Sequence, residues 1–137
     1  GLDVLEEKEY DLIKLLDLKL GKCKVAFGLR AGESINFDKS KITIATKHEK
    51  IAKKYFEEKA MAVEIIKLYG SIELAPLVGL CDCIVDIVET GETMKQNGLE
   101  VGPTIMQSSA HLIANKNSFY AKKDAIFNLK DRIEKYL

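Results

Sequence analysis

The residues of this chain with the most chemical potential lie in one short stretch. An apolar run, Cys83-Ile84-Val85-Asp86-Ile87-Val88, gives way to Glu89-Thr90-Gly91-Glu92-Thr93, then to Met94-Lys95-Gln96-Asn97 before Gly98. This order reads as a buried strand, a tight turn and the start of a helix. A helix start holds backbone amides with no intrahelical partner and carries the positive end of the helix dipole, so an anion placed there collects several donors. Gly91 lets the backbone come close to a ligand, and the hydroxyls of Thr90 and Thr93 can donate to phosphate oxygens. The chemistry is that of holding a phosphate, and the stretch does not say which one. The same residues also suit a capped helix with no ligand, because Thr is an ordinary N-cap and Gly an ordinary turn residue.

Other reactive side chains are less suggestive. Asp82 and Asp86 are four apart, which in a strand points them to one face, and one of the two can serve as a core-edge residue with a backbone partner. Cys23, Cys81 and Cys83 are odd in number. Cys81 and Cys83 are expected on one face of a strand, yet Cys-x-Cys without His or further Cys nearby is a poor zinc site, so buried free thiols are the expectation. His48 and His111 are far apart in sequence and sit in no ligand motif, and both read as structural or surface residues.

With 137 residues the chain has the length of one ordinary domain. Its 21 basic and 21 acidic residues cancel, which argues against bulk attraction to nucleic acid or to an anionic membrane. No apolar stretch approaches the roughly 18–20 residues of a membrane span, and the N-terminus lacks the layout of a signal peptide, so a cytoplasmic location is expected.

These residues need a frame. Tyr10 to Leu20 is apolar without clean periodicity; Cys23, Val25 and Phe27 alternate as in a half-buried strand, and Leu29 to Ser40 reads as a loop. Ile42, Ile44 and Ala45 form a short strand ending at Thr46-Lys47-His48. A helix follows with Ile51, Ala52, Tyr55 and Phe56 on one face and a solvated charged face opposite. Val63 to Leu68 is the next strand, after which Gly70-Ser71 should open a short helix with Ser71 as N-cap and Glu73 in its first turn. Alternating β and α elements predict a parallel sheet with helices on both faces and ligands at the carboxyl ends of the strands. Thr46, Gly70 and Glu89-Thr90 fall at such ends. Beyond Gly98, residues 99–103 read as a turn, two short extended pieces follow, and a single amphipathic helix is predicted from about Phe119 to Tyr136.

The run from Glu64 to Pro76, then Gly79, Asp82, Asp86 and Thr90-Gly91-x-Thr93-Met94, closely resembles ATP phosphoribosyltransferase. That family's pattern is a Glu, a Gly six residues on, an Asp seven further, then Thr/Ser-Gly-x-Thr-Leu/Met. Glu73, Gly79, Asp86, Thr90, Gly91, Thr93 and Met94 fill it in register. The likeness runs over essentially the whole chain. It implies an α/β fold of the type II periplasmic-binding-protein-like, two-domain layout with parallel or mixed sheets, here one complete lobe plus remnants of the other. Residues 1–26 would be a remnant of the first domain, 27–107 the second domain with the phosphoribosyl pyrophosphate loop, and 108–137 a return strand and C-terminal helix of the first. On the same likeness the chain lacks an N-terminal segment, ends like the short form of the family, and is expected to be inactive or nearly so by itself.

The reaction the resemblance implies is the first step of histidine biosynthesis, transfer of phosphoribosyl from phosphoribosyl pyrophosphate to N1 of ATP, with Mg2+ and release of pyrophosphate. The amides of Thr90 through Thr93, Gly91 and Glu92 included, would hold the 5′-phosphate, and Asp86 or Glu89 would accept from ribose hydroxyls. Glu73 would face ligand, although a carboxylate in a first helical turn also suits the helix dipole. Glu92 stands where relatives often have Arg or a small residue, and an acid there repels phosphate unless it points to solvent. Cys81 replaces a smaller residue, and His48-Glu49 stands where an aromatic residue and Pro are common. No catalytic residue and no metal ligand is assigned. The implied partners are ATP, phosphoribosyl pyrophosphate, further copies of the chain and a regulatory subunit similar to histidyl-tRNA synthetase, with no nucleic acid and no membrane. The alternative is a periplasmic-binding-protein-like module that binds a small anion without turning it over.

Overall fold

The computed structural model describes residues 1–8 and 10–137. The chain divides into two compact units, one made of residues 23–107 and the other of 1–22 with 108–137.

In order, the elements are α1 (Leu2–Lys8), β1 (Leu12–Asp17), β2 (Cys23–Arg30), β3 (Ile42–Thr46), α2 (Glu49–Glu58), β4 (Val63–Lys67), a 3₁₀ turn (Ile72–Leu74), β5 (Cys83–Val88), α3 (Glu92–Gln96), β6 (Leu99–Ser108), β7 (His111–Asn115), α4 (Lys116–Ala121) and α5 (Lys123–Glu134). Unit 23–107 is built on a five-stranded sheet in the order β4-β3-β5-β2-β6. β3 runs parallel to β4 and to β5, while β2 runs antiparallel to β5. The sheet is therefore mixed, and α2 and α3 follow β3 and β5 at their carboxyl ends.

The sheet separates two apolar clusters. Val25, Phe27, Ile42, Ile44, Cys83 and Val85 pack with Ile51, Ala52 and Phe56 of α2. Ala26, Ala45, Ile84 and Val88 pack with Ile72, Ala75, Cys81, Met94 and Leu99. Alternate residues of one strand thus enter different cores, which is why the central strands read as nearly continuous apolar runs. β2 is accordingly buried on both faces at its centre, not half-buried. Cys81 and Cys83 do not share a face either. Cys81 precedes the strand and joins the second cluster, whereas Cys83 opens β5 and joins the first.

Two further expectations yield to backbone chemistry. The helix expected after Gly70 is a single 3₁₀ turn, and Ser71, at φ +53°, makes no side-chain cap. Pro76 has no N–H to bond the carbonyl of Ile72, so an α-helix cannot propagate there. Residues 99–103 are not a turn; β6 runs unbroken through Pro103. The proline is tolerated because β6 lies at the edge of the sheet, where a missing donor breaks no interior ladder.

In unit 1–22 with 108–137, β1 and β7 pair antiparallel. The Ser108 hydroxyl donates to Asp3 Oδ1 at 2.7 Å and accepts from the Asp3 amide at 3.1 Å. Ser109 Oγ donates to Asp17 Oδ1 at 2.7 Å. The single C-terminal helix expected is two, because the chain breaks at Lys122 (φ −128°, ψ 33°). The rings of Phe119 and Phe127 meet at 5.6 Å between centroids. Eight residues of straight helix would separate them by about 12 Å, so their contact requires the break.

Candidate functional site

The carboxyl ends of β3, β4 and β5 lie on one edge of the sheet because the three strands are parallel neighbours. Register places Thr46 beside both Lys67 and Val85. The chain leaves β5 through Glu89 and Thr90, both exposed, and turns at Gly91, whose φ of +85° is in the left-handed region. That conformation favours glycine, and the space does too, since a β-carbon at Gly91 would stand 3.0 Å from Val101 Cγ2. Gly91 is also the N-cap of α3, its carbonyl accepting from the Lys95 amide at 3.0 Å.

The first amides of α3 have no carbonyl one turn back to bond. One is met locally, as the Glu92 amide donates to Thr90 Oγ1 at 3.3 Å. A hydroxyl that accepts from an amide still has its own proton to donate outward, so this bond leaves Thr90 a free donor. Thr93 is exposed in the first turn, and its carbonyl accepts from Asn97 Nδ2 at 2.8 Å, which closes α3 before Gly98. Met94 is buried in the cluster that holds Ile84 and Ile72, pinning the short helix to the sheet. Glu92 is exposed, so its charge stays in the high dielectric of solvent.

Asp86 is half-buried near the end of β5, and its Oδ1 accepts from the Ile87 amide at 2.8 Å. Glu73 is half-buried in the 3₁₀ turn after β4; its neighbour Ile72 shares an apolar cluster with Met94. Asp86 and Glu89 through Thr93 are contiguous at one strand end, and Glu73 follows a parallel strand that ends on the same edge. Asp82 is at the opposite, amino end of β5. Its Oδ2 accepts from the Thr43 amide at 2.8 Å and its Oδ1 from Lys39 Nζ at 2.7 Å. The Lys39 ammonium first, and then the Thr43 amide, hold its carboxyl below the usual carboxylate range. Asp82 is the core-edge member of the pair.

Two residues that bear on this edge, His48 beside it and Gly28 beneath α3, were not singled out by sequence. His48 places Nε2 3.7 Å from Asp86 Oδ1. Gly28 on β2 is covered by Ile84 and Met94, and a β-carbon there would lie 2.7 Å from Ile84 Cγ1 and 3.1 Å from Met94 Sδ. A glycine inside a strand pattern signals such a close approach, and could have been read that way. For His48 the only signal was its place two residues beyond a strand that is parallel to β5.

Among the described residues, no group of three or more His, Cys, Asp or Glu side chains is gathered as for a metal ion, and no helix is long and apolar enough to cross a membrane.

Comparison with known proteins bears on both fold and family. A family model described as ATP phosphoribosyltransferase matches residues 1–135. The chain is 61% identical over 134 residues to ATP phosphoribosyltransferase of Sulfurovum sp. and 62% identical over 135 residues to that of Wolinella succinogenes. Each alignment covers 98% of this chain but 65% and 66% of the respective relative, so the chain spans just under two thirds of their length. Among solved structures it is similar to a chain of the ATP phosphoribosyl transferase (HisG:HisZ) complex from Thermotoga maritima, with a TM-score of 0.82, 34% identity, and coverage of 97% of this chain and 65% of that one. A probable amino-acid ABC transporter extracellular-binding protein from Bacillus subtilis has a TM-score of 0.58 at 14% identity over 98% of this chain and 66% of that one, a likeness of fold alone. The fold is α/β of the type II periplasmic-binding-protein-like layout, and the chain belongs to the ATP phosphoribosyltransferase family.

Proposed function

We propose that residues 86–93 form the phosphoribosyl pyrophosphate cradle of an ATP phosphoribosyltransferase, and that the whole protein performs the first step of histidine biosynthesis. The observation that carries this reading is the turn at Gly91, which sets the Thr90 hydroxyl and the first amides of α3 together at the carboxyl end of β5. The amides of Gly91 and Thr93 with the two threonine hydroxyls hold the 5′-phosphate by charge-assisted hydrogen bonds, and the Glu92 amide, which donates to Thr90 Oγ1, supports the turn. Asp86 and Glu89 accept from ribose hydroxyls, and Glu73 approaches the ligand from the turn after β4, two strands from β5.

In the reaction, N1 of ATP supplies the electron pair for the new bond to the anomeric carbon, and the bond to pyrophosphate breaks with its pair going to the leaving oxygen. Positive charge develops on the sugar as that bond stretches. Carboxylates fixed beside the ribose stabilise it without reorganising at the moment of reaction. Magnesium, when bound, neutralises pyrophosphate charge. Such an ion would come in with the pyrophosphate, and no residue of this chain is assigned to hold it.

The protein works in the cytoplasm as a homo-oligomer with a regulatory subunit similar to histidyl-tRNA synthetase. Support for a partner is the likeness to a chain solved as a HisG:HisZ complex. The test is calorimetric titration of the chain with magnesium phosphoribosyl pyrophosphate, beside a Thr90→Ala, Thr93→Ala double variant. Saturable binding weakened about tenfold or more in the variant is expected from the loss of two hydrogen bonds to a charged group. Equal affinity in a folded variant would overturn the reading.

A further inference from the structure

We infer that His48 is a positioning residue for Asp86, and that the pair reads the ribose of a phosphorylated sugar rather than its phosphate. This rests on the cradle reading above and deepens it. Thr46, at the end of β3, is fully buried. Its hydroxyl donates to the Val85 carbonyl at 2.7 Å and accepts from the His48 amide at 2.9 Å. One side chain therefore ties the turn that carries His48 to the residue immediately before Asp86. The turn cannot drift from β5 without breaking a buried hydrogen bond, which is costly where water cannot replace it.

Held this way, the imidazole is only 14% exposed, and its Nε2 lies 3.7 Å from Asp86 Oδ1, the same oxygen that accepts from the Ile87 amide. The Ile87 amide holds this oxygen, and the buried ring beside it restricts how the carboxylate can turn, which leaves Oδ2 as the acceptor for a ribose hydroxyl. A free carboxylate on a strand end would rotate, and ordering it would subtract from the affinity of each sugar that binds. The phosphate, in contrast, is held by Thr90, Gly91 and Thr93. His48 thus acts on the sugar through Asp86.

The test compares two probes, ribose 5-phosphate and inorganic phosphate, titrated into the full chain and followed by the amide resonances of residues 90–93. The wild type should bind ribose 5-phosphate more tightly than phosphate. His48→Ala should weaken ribose 5-phosphate by about three- to tenfold, the range expected when binding must order one more side chain, while changing phosphate by less than about twofold. His48→Gln keeps a polar side chain of similar reach beside Asp86 and should restore most of the loss. In an Asp86→Asn background, His48→Ala should add little, because the carboxylate that it orients is gone. Equal weakening of both probes would mean a merely structural role and overturn the inference, as would additive losses in the double variant or an unchanged sugar affinity in His48→Ala. A wild-type chain that binds phosphate but gains nothing from the ribose would overturn this inference and leave the cradle standing. One that binds neither probe would overturn both.

Discussion

The sulfur of Met94 lies 3.1 Å from the point where a β-carbon would stand on Gly28. Gly28 sits in the buried centre of β2, and its missing side chain is what admits Met94, and with it α3, onto the sheet. The geometry of the turn at Gly91 thus depends on a glycine more than sixty residues earlier. Gly28→Ala would put carbon 2.7 Å from Ile84 Cγ1, so Ile84 and Met94 must both move. Overpacking of this kind costs about 1–3 kcal/mol, read as a lower urea midpoint. Because the displaced helix carries Thr93, phosphate affinity should fall as well. Ile84→Ala in the same chain should relieve part of the strain, giving a double variant less destabilised than the sum of the singles.

Thr46 is the second distant determinant. Thr46→Val keeps the shape but takes this partner from the Val85 carbonyl, where the bond is buried, and from the His48 amide, where it is part-buried. A loss of about 2–3 kcal/mol is expected from two desolvated groups. Thr46→Ser keeps the hydroxyl and loses one methyl, so it should cost about 1 kcal/mol. Thermal unfolding of the two variants in parallel gives the comparison, and an equal loss in both would show that packing, not the hydroxyl, matters at this position.

What the sequence made legible, and what it did not, follows from the range of the forces involved. β5, its turn and α3 were readable because each is specified locally, by an apolar run, a glycine and a helix start. β3, α2 and β4 were readable for the same reason. Pro103 was misleading because its effect depends on where β6 lies in the sheet, and edge position is a property of topology. The broken C-terminal helix depends on Phe119 meeting Phe127, a contact that helical periodicity does not encode. Cys81 and Cys83 were put on one face by strand alternation, which fails when the strand starts between them. At the candidate site, the local run 86–93 could be read as a strand, turn and helix start, whereas His48, in the turn after β3, and Gly28, on β2, reach it only through sheet order.

The thiols give a chemical test of the two-core arrangement. Cys83 is fully buried, and burial, with smaller contributions from Cys81 and Asp82, pushes its thiol up to about 12. Burial raises Cys81 too. Thiolate is the reactive form, so neither should react at pH 8, while Cys23 is half-buried and accessible. A disulfide reagent should therefore label one thiol in the native chain and all three in urea. Labelling of Cys81 or Cys83 at the rate of Cys23 would contradict the burial of that end of β5.

Asp82 predicts how stability responds to acid. Its carboxyl is lowered from 3.8, first by the Lys39 ammonium and then by the Thr43 amide. The folded chain therefore keeps this charge at a pH where the unfolded chain has taken up a proton. The stabilisation is complete above the unfolded value, fades as pH falls through 3.8, and is gone once pH passes below the lower folded value. Solvent reaches about a third of the side chain, so screening keeps the effect modest. Asp82→Asn retains the shape but cannot carry the charge. It should lower the urea midpoint at pH 7, and the gap from wild type should narrow as pH falls below about 4. A gap that stayed constant from pH 7 to pH 3 would mean that Asp82 acts through shape alone and that its ion pair with Lys39 contributes nothing.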